Sequence, residues 1–331
     1  MPVLSIIACR MLEDELAHIL SADRTIRELF LVDSRECLSF SLKLRSQHRS
    51  HILLGLDEIV MHERVRQKDK KKGGQKSRKN GRSSWTCGIL PDRMKHSTCV
   101  TDLVVVVSFL RIGLHSDLDL LKGAVCDNIR RLSTFSDGIL IFYGKCGNSL
   151  IELERELPDL SCPLYFLADG RGERVDDCIS VALGGNENYS EVLAKNQNVA
   201  IFLTPMWASN WKTMGEEDAA LGKRRDLMAW LSGSGMTRVA KIDTGLHYEP
   251  GFDEKVDAFA SHFGLEKIDL PGGHTLAMNC YQNAKSSLLA GYLSVPEQNP
   301  HGQICSIVAE SGLMKSAIDL CRRACRMILG D

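Results

Sequence analysis

The sequence predicts an α/β protein with mostly parallel sheets that are covered by helices on both faces. Short, continuous apolar runs of the kind found in strands buried on both faces recur along the chain. Segments with the periodicity of amphipathic helices separate these runs, so that β-α units follow one another. Right-handed crossovers then place the helices on the two faces of a parallel sheet.

The chain opens with a β-α-β unit. A strand is predicted over Val3 to Ala8, a helix over Met11 to Leu20 and a second strand over Glu28 to Asp33. A ragged helix is expected from residue 37 to about residue 60. Further strands are predicted at Gly138 to Tyr143, Pro163 to Ala168, Val199 to Leu203, Arg238 to Ile242 and Lys267 to Leu270. Further helices are predicted at Asp117 to Leu132, Val175 to Leu183, Glu216 to Ser232, Phe252 to Phe263, Leu276 to Leu289 and Gly302 to Leu329.

Composition limits the class of protein and its partners. With 331 residues, 44% of them apolar, the chain can bury a large core as one α/β unit, which can divide into lobes at about residues 1–195 and 196–331. The 41 basic and 42 acidic residues nearly balance, so no overall charge recruits nucleic acid or an anionic membrane.

A basic segment interrupts the early part of the chain. Ten basic residues and one acidic residue lie between Arg64 and Arg82, and residues 64–98 show no periodicity. This composition predicts an exposed, disordered insertion. Nucleic-acid binding by the segment is disfavoured because no aromatic residues are interleaved with the charges.

Cysteine usage indicates a reducing compartment. The chain has twelve cysteines and no recognisable secretory signal, which is typical of a cytoplasmic protein whose thiols stay reduced or bind metal. The apolar runs, including Leu103 to Leu110, fall short of the roughly 20 residues needed to cross a bilayer. No membrane span is predicted.

Three cysteines follow strand-like runs. Cys9 ends the first run, Cys146 follows the strand that ends at Tyr143, and Cys178 comes shortly after the strand that ends at Ala168. Ligands of open α/β sheets bind beyond the carboxyl ends of the strands, so these thiols could meet at one site. The alternative for each is burial as a small apolar side chain.

The motif Tyr143-Gly-Lys-Cys-Gly-Asn-Ser149 is the densest local signal, placed between a strand and a helix expected near Ser149. Gly144 and Gly147 let the backbone approach a ligand closely. The following helix would lower the pKa of Cys146 toward a reactive or metal-binding thiolate. The alternative is a tight turn with an incidental thiol.

Other polar residues lie in comparable loops. His115 precedes a helix and could act as a nitrogen ligand or a general base. Asp176 and Asp177 begin a helix, where capping explains them as well as a functional role does. The apolar stripe of that helix leaves the direction of Cys178 open.

Two aromatic residues and two glycine-containing loops complete the candidates. Trp207 and Trp211 are four residues apart, so they share a helix face and line either a pocket or the core. The loops Ile242-Asp-Thr-Gly-Leu-His247 and Pro271-Gly-Gly-His274 also follow strands and could hold an anion or a substrate.

These stretches resemble a known family. Ile6-Ile-Ala-Cys-Arg-Met-Leu-Glu-Asp-Glu-Leu, Gly113-Leu-His-Ser, Ile141-Phe-Tyr-Gly-Lys-Cys-Gly-Asn-Ser, Arg174-Val-Asp-Asp-Cys-Ile and Leu203-Thr-Pro-Met-Trp are similar, in this order, to the domain of unknown function 1638 family of methanogenic archaea and anaerobic bacteria. The resemblance implies an intracellular α/β protein with recurrent polar positions at Cys9, His115, Cys146, Asp177 and Cys178. It also implies an association with corrinoid-dependent methyl transfer. Residues 37 to 112 depart from the family's pattern.

The leading hypothesis is a metal-binding protein with Cys9, His115, Cys146 and Cys178 as ligands, a set that suits tetrahedral zinc. Iron or a corrinoid are the alternative cofactors. Gly144, Gly147, Asn148 and Trp207 are the residues expected to contact a cofactor, and His115, Cys146 and Asp177 are the catalytic candidates.

Other functions remain open. The protein would be an enzyme or accessory factor of methyl transfer, with a small-molecule substrate, a methyltransferase or a corrinoid protein as partner. One alternative is a metal-free thiol enzyme in which Cys146 is the nucleophile and His115 the base. Another is a non-catalytic module that binds a small molecule or a protein.

Overall fold

The structure, a computed structural model, describes residues 1–63, 102–112, 114, 117–196, 200–220, 235–246 and 248–294. Residues Met1–Tyr292 form one compact unit. The remaining unit, Leu293–Asp331, lies almost entirely outside the described residues. Within the part that is described, no helix combines the length and the apolar character needed to cross a membrane.

Six parallel strands form the larger sheet, in the order β3-β2-β4-β1-β5-β6. They are β1 (Val3–Ala8), β2 (Ile26–Val32), β3 (Ile52–Leu54), β4 (Leu103–Phe109), β5 (Gly138–Phe142) and β6 (Leu164–Phe166). Every residue of β1, β4 and β5 is buried, because helices cover both faces of the centre of the sheet. The continuous apolar character of these segments follows from that burial.

A second, three-stranded parallel sheet has the order β7-β8-β9. Its strands are β7 (Ala200–Leu203), β8 (Arg238–Asp243) and β9 (Glu266–Pro271). Residue 195, near which a division into lobes was predicted, lies in the chain between β6 and β7, and the division itself stays a prediction.

The helices of four or more residues are α1 (Glu13–Ala22), α2 (Leu38–Ser46), α3 (Leu118–Leu132), α4 (Leu153–Glu156), α5 (Cys178–Ala182), α6 (Asn186–Lys195), α7 (Pro205–Ala220), α8 (Phe252–Phe263) and α9 (Thr275–Ser294), with a further helical segment at residues 56–63. Asp117 caps α3 by accepting hydrogen bonds from the backbone N–H groups of Asp119 and Leu120, at 3.1 Å each. The amphipathic stripe of α3 buries Leu121, Val125 and Ile129.

The connections that leave β1 and β5, which are neighbours in the larger sheet, run toward opposite edges of that sheet. The connection after β1 leads to β2 on one side, and the connection after β5 leads to β6 on the other side. Neighbouring strands whose connections diverge leave a crevice at their carboxyl ends, which is where α/β proteins bind ligands. This crevice, beyond Ala8 and Phe142, is called the switch-point crevice below.

The predicted fold class is confirmed, and several element boundaries are corrected. The helix expected over residues 37 to 60 is instead α2, strand β3 and the helical segment 56–63. The run Leu103–Phe109, considered above only for its length, is a central strand. The helix expected near Ser149 starts at Leu153, and α6 was not predicted.

Other boundary predictions reach the limits of the description. The helix predicted from Glu216 instead begins at Pro205, two residues after the end of β7. It is described as far as Ala220. The helix predicted over Gly302 to Leu329 and the insertion predicted over residues 64–98 lie outside the described residues.

Candidate functional site at the switch-point crevice

Cys9 lies at the floor of the switch-point crevice. It is the first residue after β1, and its backbone N–H donates to the carbonyl oxygen of Phe142 at 3.2 Å. Its side chain is 2% exposed. The hydrogen bond ties the end of β1 to the end of β5, so Cys9 is held beside the segment that carries Cys146.

The segment after β5 is pinned against the start of α5. Lys145 N–H donates to Val175 O and Cys146 N–H donates to Asp176 O, both at 2.8 Å. A Cβ on Gly144 would lie 2.6 Å from the backbone nitrogen of Asp177, so only glycine fits. Gly144 therefore brings the Cys146 turn and the Cys178 turn together.

The turn at Cys146 has an unusual backbone. Cys146, Gly147 and Asn148 have φ values of 45°, 65° and 70°, so three consecutive residues lie in the left-handed region. For a residue with a side chain such as Cys146, this conformation costs about 1–2 kcal/mol. Strain of this kind persists where the surroundings fix it and is concentrated at functional sites.

Cys178 starts α5 beside an aspartate that caps this helix. The Asp177 carboxylate accepts hydrogen bonds from the backbone N–H groups of Ile179 and Ser180, both at 2.9 Å. The Trp207 indole Nε1–H donates to the Cys178 sulfur at 3.2 Å. The capping interpretation of Asp177 is therefore confirmed, while Asp176 pairs with Lys145 at 2.5 Å.

The three thiols lie near enough for their ionisations to oppose one another. Burial, followed by the nearby Cys146, raises the pKa of Cys9. Burial and the Asp177 carboxylate raise the pKa of Cys146 to about 12. Burial and the proximity of Cys9 raise the pKa of Cys178, against a lowering by the hydrogen bond from Trp207. All three are protonated at neutral pH unless a cation displaces the protons.

Tyr143 belongs to the same cluster. It is 2% exposed, and burial together with the three cysteines raises its pKa well above the ordinary value. Its hydroxyl therefore stays protonated.

The metal-ligand set stays a prediction. His115 lies outside the described residues. Among the residues that are described, no group of three or more His, Cys, Asp and Glu side chains is already arranged to hold a metal ion. Each cysteine in this part of the chain is a thiol and forms no disulfide.

A buried ionic cluster next to Cys9 was missed in the sequence. Glu13, Asp14 and Glu15, in the first turn of α1, are 0%, 1% and 2% exposed. The buried ammonium of Lys43 lies 2.9 Å from Glu13, 2.7 Å from Asp14 and 3.3 Å from Glu249. The available signal was three acidic residues at a helix start directly after a strand-end cysteine.

Glu15 is the member of this cluster that affects Cys9. Burial, and next the Asp14 carboxylate, raises the pKa of Glu15 to about 8. Its charge also raises the pKa of Cys9, and its Oε2 has no hydrogen-bond partner among the described residues.

A cavity of about 460 Å³ adjoins the Cys146 turn. Gly147 and Asn148, two of the residues expected to contact a cofactor, line it with Leu118, Asp119, Lys122, Ser149, Ile151 and Glu152. The cavity gives a small molecule access to the surface beside Cys146. Of the other two, Gly144 packs against the backbone of Asp177, and Trp207 donates a hydrogen bond to Cys178.

The remaining candidates lie elsewhere. Trp211 packs against Phe259 and Phe263, with ring centroids 5.2 and 5.6 Å away, so it belongs to a core cluster. The loops that contain Thr244 and Gly272 line a separate cavity of about 660 Å³. His247 lies outside the described residues.

Comparison with known proteins identifies one family. The model of the family described as "Protein of unknown function (DUF1638)" matches residues 109–281, which include Cys146, Asp177, Cys178 and Trp207. Searches of curated proteins and of solved structures gave no significant match. The match covers more than half of the chain, and we conclude that the chain belongs to the DUF1638 family.

Proposed function

We propose that the protein binds a zinc-type metal ion at the switch-point crevice, with Cys9, Cys146 and Cys178 as sulfur ligands and His115 as the nitrogen ligand. The observation that supports this proposal is that three thiols from separate chain segments, beyond the carboxyl ends of β1 and β5, lie near enough to raise one another's pKa values. Three sulfurs and one nitrogen form a ligand set that zinc uses in tetrahedral sites.

The electrostatics of the crevice favour a cation. Asp177, and Glu15 once it ionises above about pH 8, raise the pKa of Cys9, so the carboxylates near this buried thiol would stabilise a cation. Metal binding would convert the thiols to thiolates and release their protons. The hydrogen bond from Trp207 to the Cys178 sulfur would remain and would stabilise a thiolate.

The same pKa values weigh against the metal-free alternative. A catalytic cysteine needs a lowered pKa, so that the thiolate is populated near neutral pH. Burial and the Asp177 carboxylate instead raise the pKa of Cys146 to about 12. A thiol enzyme that uses Cys146 alone is therefore disfavoured.

Thiol activation is the chemistry that such a site would supply. If a substrate thiol takes the place of one of the four protein ligands, the metal would lower the pKa of that thiol. The cavity beside Gly147 and Asn148 provides room for a small thiol next to Cys146. We extend the proposal to methyl transfer from a corrinoid donor to such a thiol, as an enzyme or as an accessory factor, because this reaction needs an activated thiol.

Metal analysis tests the site directly. We expect anaerobically purified protein to contain about one zinc or iron ion per chain. The Cys9→Ser, Cys146→Ser and Cys178→Ser variants should each lose it while keeping their circular dichroism. Cys162→Ser is the matched control, because Cys162 is equally buried but its pKa responds to Asp137 and not to the crevice.

The proposal fails if folded wild-type protein takes up no metal after anaerobic reconstitution. It also fails if the metal content of the three crevice variants equals that of Cys162→Ser. Metal retained only when His115 is intact would identify the fourth ligand.

A further inference from the structure

The cavity beyond strands β8 and β9 has features of a second ligand site. It measures about 660 Å³ and lies at the carboxyl ends of two neighbouring parallel strands. Its lining includes Lys241, Asp243, Thr244, Asp269, Gly272 and His274. None of these residues belongs to the switch-point crevice.

Backbone contacts fix the shape of this cavity. Gly272 N–H donates to Asp243 O at 2.9 Å, and Gly273 N–H donates to Ala182 O at 2.8 Å. A Cβ on Gly272 would lie 2.4 Å from Cγ2 of Ile242, so the loop can approach β8 only with glycine there. His274 Nδ1 lies 3.2 Å from the carbonyl oxygen of Thr244 and must donate to it, since a carbonyl only accepts.

Part of the lining suits an anionic group. The start of α9, a helix of 20 residues, contributes backbone N–H groups that have no partners within the helix. Thr244 also lines the cavity. It is 2% exposed, and its Oγ1 has no hydrogen-bond partner among the described residues. A buried hydroxyl in this state is stabilised by a ligand that accepts its hydrogen bond.

Another part of the lining suits a cationic group. Asp243 and Asp269 contribute two carboxylates from neighbouring strands, and Oδ1 of Asp243 also accepts a hydrogen bond from Gly245 N–H at 2.9 Å. The Lys241 ammonium lies 2.7 Å from Asp253, which is not a lining residue, and 3.8 Å from Asp269. The carboxylates therefore outweigh the half charge, about 0.5 of a unit, at the helix start. This balance disfavours a phosphate dianion and favours a ligand that carries both charges.

We propose that this cavity binds an α-amino acid, with its carboxylate at the start of α9 and at the Thr244 hydroxyl and its ammonium group at Asp243. An α-amino acid carries its ammonium and carboxylate groups on the same carbon atom, which matches a cavity whose lining offers partners for both charges. The remaining volume, bordered by Leu270 and Pro271, accommodates the amino-acid side chain.

Calorimetric titration of the full-length protein with each of the twenty common amino acids tests this proposal. Acetate, methylamine and inorganic phosphate serve as probes that carry one kind of charge. We expect at least one amino acid to bind with a Kd below about 1 mM, and the three other probes to bind at least about tenfold more weakly.

Variants of Thr244 distinguish a ligand contact from a structural role. Thr244→Val should weaken amino-acid binding at least about tenfold without lowering the Tm, because the hydroxyl has no partner to lose. Thr244→Ser should bind like the wild type. Asp243→Asn should also weaken binding, whereas Asp257→Asn should not, because Asp257 is on α8, pairs with Lys267 and does not line the cavity.

Three results would overturn the proposal. They are the absence of binding by all twenty amino acids, tighter binding of phosphate than of any amino acid, and amino-acid binding that Thr244→Val leaves unchanged. Should Asp243→Asn fail to fold, the pair Thr244→Val and Thr244→Ser still decides the outcome.

Discussion

At the scale of single residues, Lys43 holds several carboxylates in the interior. Its ammonium contacts Glu13, Asp14 and Glu249 within 3.3 Å, and its side chain is 6% exposed. Burial alone would lower the pKa of Lys43, but the carboxylates of Glu13 and Asp14 outweigh it and raise the pKa. Lys43 therefore stays charged and makes the burial of the acidic first turn of α1 tolerable.

Replacing Lys43 with methionine should destabilise the protein strongly. The Lys43→Met substitution keeps a side chain of similar length but leaves the buried carboxylates without their cation. Such a loss typically lowers the free energy of unfolding by about 3–5 kcal/mol. Urea unfolding measures the loss. The matched control is Lys195→Met, which removes an exposed pair with Glu191 at 3.4 Å and should change stability by about 0–1 kcal/mol. Equal stabilities of the two variants would contradict this role of Lys43.

The raised pKa of Glu15 predicts that stability depends on pH with the opposite sign to that expected for most carboxylates. Its pKa rises from 4.5 to about 8 on folding, so the folded state holds a proton that the unfolded state releases. The free energy of unfolding of metal-free protein should therefore fall as pH rises from about 4.5 to about 8. Glu15→Gln should lack the part of this decline in stability that comes from Glu15, and it should be more stable than wild type at pH 8. Urea unfolding at several pH values measures both.

The control for Glu15 is an exposed acid. Glu191→Gln, on the surface of α6, should keep the wild-type pH profile. If Glu15→Gln and wild type have the same stability at pH 8 as well as at pH 4, the raised pKa of Glu15 is wrong.

Glu249 changes stability in the acid range. Burial acts against it, but hydrogen bonds from Ser209 and Lys255 and the charge of Lys43 lower its pKa from 4.5 to about 2. The stability that this carboxylate contributes is present above about pH 4.5 and is lost as pH falls toward about 2. Glu249→Gln should show a shallower loss of stability over that range than wild type in acid-unfolding measurements. An identical acid profile would contradict the lowered pKa.

At the scale of secondary-structure elements, Gly144 controls how the turn after β5 meets the turn before α5. Gly144→Ala places a methyl group against the backbone of Asp177 and should cost about 1–3 kcal/mol. It should also lower metal affinity, since it separates Cys146 from Cys178. Urea unfolding and metal titration measure the two effects.

Gly123 provides the control for Gly144. It lies within α3, and a Cβ there would meet no atom within 4 Å. Gly123→Ala should therefore stabilise the helix by about 0.5–1 kcal/mol and leave metal affinity unchanged. A stable Gly144→Ala variant with normal metal affinity would contradict the packing role of Gly144.

Local sequence predicted the strand-end elements but not their long-range partners. Cys9, Cys146 and Cys178 were expected to be able to meet because parallel strands end at one edge of a sheet, and the structure joins Cys9 to Phe142, four residues before Cys146, by a backbone hydrogen bond. The direction of Cys178 depended on Trp207, which comes from a helix 29 residues away. The burial of Glu13 depended on Lys43 and Glu249, which no local pattern links to it.

At the scale of the whole molecule, two parallel sheets each present a cavity beyond the carboxyl ends of their strands. The larger sheet carries the thiols of the switch-point crevice, and the smaller sheet carries the cavity beside Thr244. Fold class and sheet edges were predictable because parallel β-α units have few possible arrangements. The strand order was not predictable, because β4 enters between β1 and β2 after a long connection.

X-ray absorption at the edge of the metal that copurifies with the protein tests the central claim most directly. If the metal is zinc, we predict about three sulfur neighbours at about 2.3 Å and one nitrogen neighbour at about 2.0–2.1 Å. The sulfur count should fall in Cys146→Ser and stay unchanged in Cys162→Ser. A spectrum with only nitrogen and oxygen neighbours would contradict a metal site built from Cys9, Cys146 and Cys178.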